Sequence, residues 1–344
     1  MKDHKNQIGI IGAGFISDYH IAGLKSVGSK IKSIYSRKLI NAKEKALQYD
    51  ISHYTADYSD ILEMDEIKAV LILTPDFTHK KIAIDAINAG KSVFLQKPMA
   101  INSDQCREII KASESSEVPV YVSFMHRYFD EVQQIKQLLS NQILGNVFSV
   151  RQRNATAGAN WAPWFYDKDK VGGGVVMQLG VHGIDLLRYL FGEIQSVKAI
   201  TKTMKTERIL TDGTRIVPNN EDFAMINYQF SSGLIGNHEV VYNEIAGTDR
   251  YRMEIYGEEG TAWLRTEKGC LAIYAPKYMG HEGWFSFDYK DSDISFAQHK
   301  HFINMLTGEC PDDGSAYDGL QSVLVSEAIY RSTEIDGWQK VDAK

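Results

Sequence analysis

The sequence predicts an α/β protein of two domains, a doubly wound parallel sheet followed by an α+β domain with a large, mostly antiparallel open sheet. Over residues 7–122, short apolar and β-branched runs alternate with helical patterns, which is typical of parallel strands covered on both faces. After about Arg127, polar and apolar residues alternate within the strand-like runs, as in a sheet with one exposed face. We therefore assign residues 1–124 to the first domain and 125–344 to the second.

In the first domain, strands are predicted where apolar residues are continuous and helices where they recur on one face. The predicted strands are Gln7–Ile11, Ile31–Tyr35, Ala69–Leu73, Ser92–Leu95 and Val120–Val122. One helix over His79–Ala89 ends at Gly90, and another over Ser103–Ser113 begins at a capping residue. In a doubly wound sheet, ligands bind at the carboxyl ends of the strands, so the residues that follow these strands are the first candidates for a site.

In the second domain, turn signals such as Ser232-Gly233 and Glu259-Gly260 separate the strand-like runs. The predicted strands are Val147–Arg153, Val197–Thr203, Phe223–Phe230, Gly236–Val241, Arg252–Tyr256, Thr261–Arg265 and Leu271–Tyr274. The predicted helices are Asp130–Leu139, Val175–Phe191, which Gly192 ends, and Tyr317–Thr333.

Composition and charge argue against several classes of protein. The 344 residues carry a formal net charge of −6, whereas proteins that bind nucleic acids or anionic membranes present strongly basic surfaces. No window approaches the roughly 18 uninterrupted apolar residues of a transmembrane helix, and the first residues run into a strand without an apolar targeting stretch. Three cysteines without metal-ligand spacing favour a reduced, cytoplasmic protein that holds no metal.

The first candidate site is the glycine-rich turn Gly12-Ala13-Gly14-Phe15-Ile16 after the first strand. Gly12 allows the tight turn, Gly14 lets the backbone approach a pyrophosphate, and the following helix directs its free N–H groups at that anion. Ser17 occupies the place of the usual third glycine and is small enough for close packing of strand and helix. The pattern predicts dinucleotide binding, and a plain glycine-rich turn is the alternative.

Two further candidates follow later strands of the same sheet. Thr74, Pro75 and His79 lie after the third predicted strand, where the Thr74 hydroxyl can reach a ribose, although Asp and Thr in this segment also suit a helix cap. Lys97 ends the next strand and precedes Pro98, which fixes a turn, cis or trans, that aims the lysine at the crevice of the sheet. A solvated surface lysine is the alternative.

A polar stripe on an apolar helix is the candidate in the second domain. Gln178 and His182 are one helical turn apart and Asp185 follows three residues later, so the three share one face. A polar stripe in an apolar setting needs a partner, such as a ligand. The alternative is a core histidine bonded to Asp185.

These segments together resemble the glucose-fructose oxidoreductase / inositol dehydrogenase / MocA family. The shared motifs extend over nearly the whole chain in the order and spacing typical of the family, and are Gly12-x-Gly14, Thr74-Pro75-Asp76-x-x-His79, Gln96-Lys97-Pro98, Gly172-Gly173-Gly174 and Gly180-x-His182-x-x-Asp185. The resemblance implies an N-terminal Rossmann domain that binds NAD(P) and a C-terminal domain whose open sheet supports a homodimer or homotetramer. It also implies redox chemistry on sugars, inositols and sugar derivatives.

The resemblance implies roles for individual residues as well. Lys97 resembles the lysine that touches both the cofactor and the reacting hydroxyl, and His182 resembles the histidine that exchanges a proton with that hydroxyl. Such a pair fits hydride transfer, because a histidine can handle the proton and an ammonium stabilises the alkoxide-like charge. Arg127, Trp161 and Trp164 are expected walls of the nicotinamide and sugar pocket, while the aromatic pair suits a core or interface equally.

The predicted site has two sets of residues. Those expected to bind the cofactor are Gly12, Ala13, Gly14, Phe15, Ile16, Ser36, Arg37, Thr74, Pro75, His79, Gln96, Lys97 and Arg127. Those expected to bind the substrate are Lys97, Trp161, Trp164, Gln178 and His182, and the catalytic pair is Lys97 and His182.

Two departures from the family pattern bear on the reaction. Gln96 stands where the family usually has Glu before the lysine, and Gln178 stands where an acid is common four residues before the histidine. Glutamine keeps the hydrogen-bonding shape but neither accepts a proton nor carries negative charge. Polyol oxidation as in inositol dehydrogenase is one interpretation. A glycoside-cleaving enzyme that retains NAD and oxidises its substrate transiently is another, and a non-catalytic cofactor sensor is a third, disfavoured by the retention of Lys97 and His182.

The choice of cofactor depends on the end of the second strand. NAD-preferring members carry an acid there, which bonds the ribose 2′-hydroxyl and repels a 2′-phosphate. This chain has Ser36 followed by Arg37 and Lys38, which suit a 2′-phosphate. We therefore expect NADP in preference to NAD, with a solvated Arg37-Lys38 turn as the alternative.

Overall fold

The computed structural model describes residues 7–245, 250–265, 270–289 and 293–342. They form two compact units, one of residues up to 125 together with 293–320, and one of residues from 126 up to 292 together with those from 321 onward. Residues 293–320 belong to the first unit, whereas the predicted division places them in the second domain. No helix among the described residues has the length and apolar character needed to cross a membrane.

The secondary structure is as follows. The strands are β1 (Gln7–Ile11), β2 (Lys30–Tyr35), β3 (His53–Thr55), β4 (Ile67–Ile72), β5 (Ser92–Gln96), β6 (Val120–Ser123), β7 (Val147–Ala155), β8 (Ile194–Lys202), β9 (Arg208–Ile209), β10 (Arg215–Ile216), β11 (Phe223–Phe230), β12 (Ile235–Val241), β13 (Tyr251–Gly257), β14 (Thr261–Arg265), β15 (Cys270–Tyr274), β16 (Phe285–Asp288) and β17 (Gln339–Lys340). The α-helices are α1 (Ile16–Ser26), α2 (Leu39–Tyr49), α3 (Ser59–Leu62), α4 (His79–Asn88), α5 (Ser103–Ser116), α6 (Asp130–Ser140), α7 (Lys168–Val171), α8 (Val181–Phe191), α9 (Pro276–Met279), α10 (Ile294–Thr307) and α11 (Ser315–Ile335).

The first unit is built on a six-stranded sheet with the order β3-β2-β1-β4-β5-β6, in which all neighbouring strands are parallel. This is the strand order of a doubly wound dinucleotide-binding fold. The strands β1, β4 and β5 lie side by side, so the residues that follow them meet at one edge of the sheet.

Helix α10, which the sequence did not suggest, completes the core of the first unit. Phe302 and Ile303 of α10 pack in one buried cluster with Ile21 and Leu24 of α1. Burying these side chains against α1 explains why a segment distant in sequence belongs to this unit.

The second unit is built on a nine-stranded sheet with the order β16-β15-β14-β13-β7-β12-β11-β8-β17. Its neighbouring strands are antiparallel except for the parallel pair of β7 and β12. Buried and exposed residues alternate along β11, as expected of a sheet with one open face. The two sheets confirm the predicted fold class.

The helix predicted as one piece over Val175–Phe191 has two parts. A π-helical turn over Val176–Gly180 precedes the α-helix α8. A π turn holds one residue more than an α turn, and the apolar pattern of the sequence does not register this local insertion.

Candidate functional site

The turn between β1 and α1 has the shape of an anion-binding loop. Gly12 has a φ of 125°, and a Cβ there would lie 2.8 Å from the carbonyl carbon of Leu73, so only glycine fits. A Cβ on Gly14 would meet no atom within 4 Å, and Phe15 is 77% exposed. The turn therefore faces open space at the N-terminus of an eleven-residue helix, where backbone N–H groups favour a phosphate.

Ser17 shows how the turn accommodates the loss of the third glycine. Its side chain is fully buried, and its hydroxyl donates a hydrogen bond of 2.6 Å to the carbonyl oxygen of Gly14. The hydroxyl thus bonds back to the turn and leaves the open side of the turn unobstructed.

The loop after β2 presents two cations. The Ser36 amide donates to the carbonyl oxygen of Thr55 at 3.2 Å, which attaches the start of the loop to the end of β3. The side chains of Arg37 and Lys38 that follow are exposed. None of these three positions carries an acidic residue, which would repel a 2′-phosphate.

A buried histidine joins the turns after β4 and β5. His79 is fully buried, with Nδ1 2.9 Å from the carbonyl oxygen of Pro98 and Nε2 2.9 Å from that of Thr74. The Lys97–Pro98 peptide bond is cis. Since one imidazole contacts both turns, the residues after the two strands hold each other in place.

Thr78 precedes α4 at the N-cap position, and its side chain makes no capping hydrogen bond to the helix. Its hydroxyl lies 2.7 Å from the Thr74 hydroxyl and 2.6 Å from the carbonyl oxygen of Pro75. Thr78 therefore stands at the N-cap position without a side-chain capping bond, and its hydroxyl instead pairs with that of Thr74 after β4.

Gln96 and Lys97 end β5 at the same edge of the sheet. The Gln96 side-chain oxygen accepts a hydrogen bond of 2.9 Å from the Lys97 backbone N–H. The Gln96 side-chain nitrogen lies 3.1 Å from Nε2 of His20 in α1. The Gln96 amide therefore bonds to the backbone of the lysine on one side and to an imidazole on the other.

In the second unit, Gln178 lies in the π-helical turn and His182 in the first turn of α8. Both side chains are buried, with 3% and 5% of their surface exposed. The His126 ring stacks on the His182 ring with a centroid distance of 4.3 Å and an angle of 15°. His126 also meets the Tyr251 ring edge-on at 5.0 Å. The histidine predicted to exchange protons therefore lies face to face with a second imidazole.

Asp185 forms a buried ion pair with Arg127. The Arg127 Nε donates to Asp185 Oδ2 at 2.9 Å, and the guanidinium makes a second hydrogen bond to Oδ1. Only 8% of Arg127 and 1% of Asp185 are exposed. The carboxylate that the sequence could have assigned to His182 thus holds a guanidinium in two-point contact.

The three glycines before the π-helical turn allow close packing around Glu221. A Cβ on Gly173 would lie 2.0 Å from the Tyr330 hydroxyl, and one on Gly174 would lie 2.1 Å from the Glu221 carbonyl oxygen. The Glu221 carboxyl accepts hydrogen bonds of 3.0 Å from the N–H groups of Gly174 and Val176 and of 2.9 Å from Tyr330. Burial raises the pKa of Glu221 to about 7, although these hydrogen bonds oppose the shift.

The two tryptophans lie in an aromatic segment of the second unit. Trp161 is 57% exposed and meets Phe165 edge-on at 5.7 Å. Trp164 stacks on Phe165 at 4.1 Å. Their predicted role as walls of a pocket remains a prediction.

The structure brings the predicted residues of the first unit to one sheet edge and adds residues that sequence reasoning missed. The missed residues are His20, His126, Glu221 and His299. Each contacts a partner far away in sequence, so local spacing gives no signal for it. His126 is adjacent to the predicted Arg127. Within the described ranges, no cluster of His, Cys, Asp or Glu is arranged to hold a metal ion.

Comparisons with known proteins agree with this architecture. Residues 6–124 match the model of the oxidoreductase family with an NAD-binding Rossmann fold, and residues 132–263 match that of the GFO/IDH/MocA C-terminal domain. The chain is 25% identical to levoglucosan dehydrogenase of Pseudarthrobacter phenanthrenivorans, over 97% of both chains. It is 25% identical to myo-inositol 2-dehydrogenase of Thermotoga maritima, over 95% of this chain and 96% of that one.

Two other matches extend the comparison. An oxidoreductase of Synechocystis is 30% identical over 76% of this chain and 71% of its own length. The solved structure of levoglucosan dehydrogenase in complex with NADH superimposes with a TM-score of 0.92 at 23% identity, covering 98% of this chain and 99% of that one. The chain therefore belongs to the GFO/IDH/MocA family of NAD-binding oxidoreductases.

Proposed function

We propose that this protein is an NAD(P)-dependent dehydrogenase or reductase that transfers a hydride between the nicotinamide and a ring hydroxyl or ketone of a sugar, inositol or sugar derivative. The observation that carries the proposal is the sheet edge at which the open turn of Gly12 and Gly14 lies beside the strand ends that bear Thr74 and Lys97. The substrates named for the levoglucosan and inositol dehydrogenases support the class of substrate.

The residues present fit a dinucleotide. The open space over Gly14 suits a pyrophosphate, which the N-terminus of α1 attracts. In this proposal the residues that hold the cofactor are Gly12, Ala13, Gly14, Phe15, Ile16, Ser36, Arg37, Thr74, Pro75, His79, Gln96, Lys97 and Arg127. The bound nicotinamide supplies the hydride acceptor or donor.

We further propose a preference for NADP over NAD. Support comes from the exposed Arg37 and Lys38 at the end of β2 and from Ser36 in the place of an acid. A guanidinium can bond a 2′-phosphate at two points, and no carboxylate at these positions repels it.

Lys97 and His182 have separate chemical tasks in this proposal. During oxidation, the substrate carbon loses a hydride and its hydroxyl loses a proton. His182 accepts that proton, and in the reverse direction returns it. The Lys97 ammonium stabilises the negative charge that develops on the oxygen. Trp161, Trp164 and Gln178 contact the sugar ring.

The test is a panel of inositols, aldoses, anhydrosugars and nucleotide sugars, followed by nicotinamide absorbance with NAD and with NADP. With the best substrate, Lys97→Met is expected to lower kcat by about 10² to 10⁴-fold, the size of a lost proton-handling or charge-stabilising group, while cofactor binding persists by fluorescence titration. Lys68→Met, an exposed lysine within β4, is the matched control and keeps full activity.

Three outcomes would contradict the proposal. Full activity of Lys97→Met would remove this lysine from the chemistry. Product formation from a glycoside with no net change in absorbance would indicate transient oxidation and cleavage with the cofactor retained. Cofactor binding without turnover of any substrate would favour a sensor.

We also propose that the protein self-associates through the open face of the nine-stranded sheet and works in the cytoplasm. On this face Ile200 pairs across the strands with Met225, and Ile200, Met225 and Ile235 are 63%, 42% and 48% exposed. The three cysteines, which lack metal-ligand spacing, suit a reducing compartment. Sedimentation of the wild type and of Ile200→Lys tests the association, and a monomeric wild type would contradict it.

A further inference from the structure

Two buried histidines in the first unit are bonded directly to each other. His20 of α1 and His299 of α10 are both fully buried, and Nδ1 of His20 lies 3.0 Å from Nε2 of His299. The two rings also surround Phe94 of β5, which stacks on His299 at 5.5 Å and meets His20 edge-on at 5.1 Å. Two imidazoles in such a contact can bond only if one donates and the other accepts.

The hydrogen bond from His299 to Ser295 determines which of the two imidazoles donates to the other. His299 Nδ1 lies 2.6 Å from the carbonyl oxygen of Ser295, and a carbonyl oxygen only accepts. His299 Nδ1 therefore carries the hydrogen. In a neutral ring its Nε2 is then an acceptor, so the hydrogen between the two rings belongs to Nδ1 of His20.

The contact between His20 and Gln96 also requires that His20 donates to His299. With its hydrogen on Nδ1, a neutral His20 offers a lone pair at Nε2, and the Gln96 side-chain nitrogen lies 3.1 Å from it. An amide nitrogen donates, so this contact is satisfied. The Gln96 oxygen then accepts from the Lys97 N–H at 2.9 Å. All four hydrogen bonds run without a conflict from Lys97 to Ser295.

The environment keeps both rings neutral. Burial lowers the pKa of His20 well below its usual value, and the neighbouring His299 lowers it further. Burial lowers the pKa of His299 to about 4, against smaller opposing effects of the Ser295 carbonyl and of Asp293. Among the residues that the structure describes, the titratable groups facing the two rings, besides each other, are Tyr19 of α1, at 4.9 and 5.8 Å between ring centroids, and Asp293.

The packing of the two helices is specific to this contact. Gly23 lies one turn after His20 on α1, and a Cβ there would lie 2.2 Å from His299 Nδ1. A second bridge runs alongside, in which Tyr19 donates to Gln298 at 3.1 Å and Gln298 donates to Ser123 at 3.0 Å. The histidine pair is thus held by α1, α10 and the ends of β5 and β6.

We propose that Gln96, His20 and His299 are positioning residues, and that their directed chain of hydrogen bonds holds the Gln96–Lys97 peptide and so the base of the Lys97 side chain. The proposal rests on the proposed role of Lys97. It also accounts for the glutamine at this position, because the neutral His20 presents a lone pair that an amide can bond and a carboxylate cannot. A glutamate at 96 would require a further proton on the His20–His299 pair, so that His20 could donate from Nε2.

The first test reads the tautomers directly in the protein without cofactor or substrate. Ring ¹⁵N chemical shifts, assigned by comparison with His20→Gln and His299→Gln, are expected to show both histidines neutral at about pH 7 with the hydrogen on Nδ1. A hydrogen on Nε2 of either neutral ring, or a doubly protonated ring, would overturn the proposed direction of the chain.

The second test is the pH profile of Gln96→Glu. The carboxylate should raise the pKa of His20. At low pH the protonated His20 therefore donates a hydrogen bond to the carboxylate, and the variant is active. As pH rises, His20 loses the proton and its lone pair faces the carboxylate. We expect the ratio of kcat between variant and wild type to fall about tenfold between roughly pH 6 and pH 9.

The double variant Gln96→Glu/His20→Gln identifies the titrating group. Because position 20 no longer titrates, the ratio of kcat should lose its pH dependence. The proposal would be contradicted if Gln96→Glu had the kcat of the wild type at every pH. It would also be contradicted if the fall of the kcat ratio with rising pH persisted in the double variant. If Lys97→Met kept full activity while both tautomers were as expected, the proposed role of Lys97 would fail and the hydrogen-bond chain would stand as structural only.

Discussion

The two regions that carry the predicted site residues are built differently. In the first unit, the turn after β1 and the loop after β2 are shaped by the backbone and open to solvent, with Phe15 and Arg37 exposed. In the second unit, Gln178, His182 and Asp185 are buried. Their region contains the His126–His182 ring stack, the Arg127–Asp185 ion pair and the Glu221 carboxyl at the start of the π-helical turn.

This difference separates binding from stability. A ligand-binding side chain that is exposed to solvent contributes little to the free energy of unfolding, because water forms hydrogen bonds with it when the ligand is absent. A buried polar side chain depends on its protein partner, and losing that partner leaves a desolvated group unpaired. We therefore expect substitutions in the first region to change cofactor affinity and those in the second to change stability as well.

The largest effect is expected from Asp185→Asn. The substitution removes the charge that compensates the buried Arg127 guanidinium, and such a loss costs about 3–5 kcal/mol of unfolding free energy. Urea denaturation measures it. Glu207→Gln is the matched control, since its ion pair with Arg215 is exposed on both sides and should contribute about 1 kcal/mol or less.

A second variant tests the physical reason for that loss. Arg127→Met combined with Asp185→Asn leaves no unpaired buried charge and should recover part of the stability. If Asp185→Asn cost no more than Glu207→Gln, the second region would be no more dependent on its buried partners than an exposed surface is, and the contrast between the two regions would be wrong.

A smaller effect, confined to binding, is expected from Arg37→Ala. Losing the guanidinium should weaken NADP(H) by about 10- to 100-fold, or about 1.5–3 kcal/mol, while NAD(H) affinity and the unfolding free energy hardly change. Fluorescence titration with both cofactors checks the affinities, with Lys43→Ala, an exposed lysine on α2, as the control. Equal losses of affinity for the two cofactors, or a wild type that prefers NAD, would contradict the proposal that Arg37 binds the 2′-phosphate.

The sequence allowed the prediction of those features that depend on local chemistry. β1, β11 and β14 have the predicted bounds, because apolar runs between turn residues determine them. The sharp turn at Gly12 was predictable because glycine is the residue type that allows such a turn. The parallel and antiparallel sheets follow from the difference between continuous and alternating apolar patterns.

Other features depend on partners that lie far apart in the chain. His20 and His299 are 279 residues apart, and Arg127 and Asp185 are 58 apart. Spacing within one helix placed Asp185 near His182, but tertiary packing gave the carboxylate to Arg127. The same limit applies to α10, which no local pattern suggested, since its place in the first unit follows from its packing against α1.

The smallest effect, and the one that tests the second region most finely, is expected from Glu221→Gln. Burial raises the pKa of Glu221 to about 7 in the folded protein, from an ordinary value of 4.5. The folded state therefore binds this proton more tightly than the unfolded state, so the stabilising contribution is complete below about pH 4.5 and is lost as pH rises through about 7. Glutamine resembles the protonated carboxyl, with one accepting oxygen and a donor, and does not titrate.

The Tm of Glu221→Gln relative to the wild type should therefore increase as pH rises from about 4.5 to 7, which thermal unfolding across a pH series measures. Glu207→Gln is the control, because it makes the same change in an ion pair that is half exposed. A constant difference in Tm between Glu221→Gln and the wild type would mean that the carboxyl under Gly174 and Val176 is ionised throughout. The start of the helix that carries His182 would then be held by a charge rather than by a proton-sharing carboxyl.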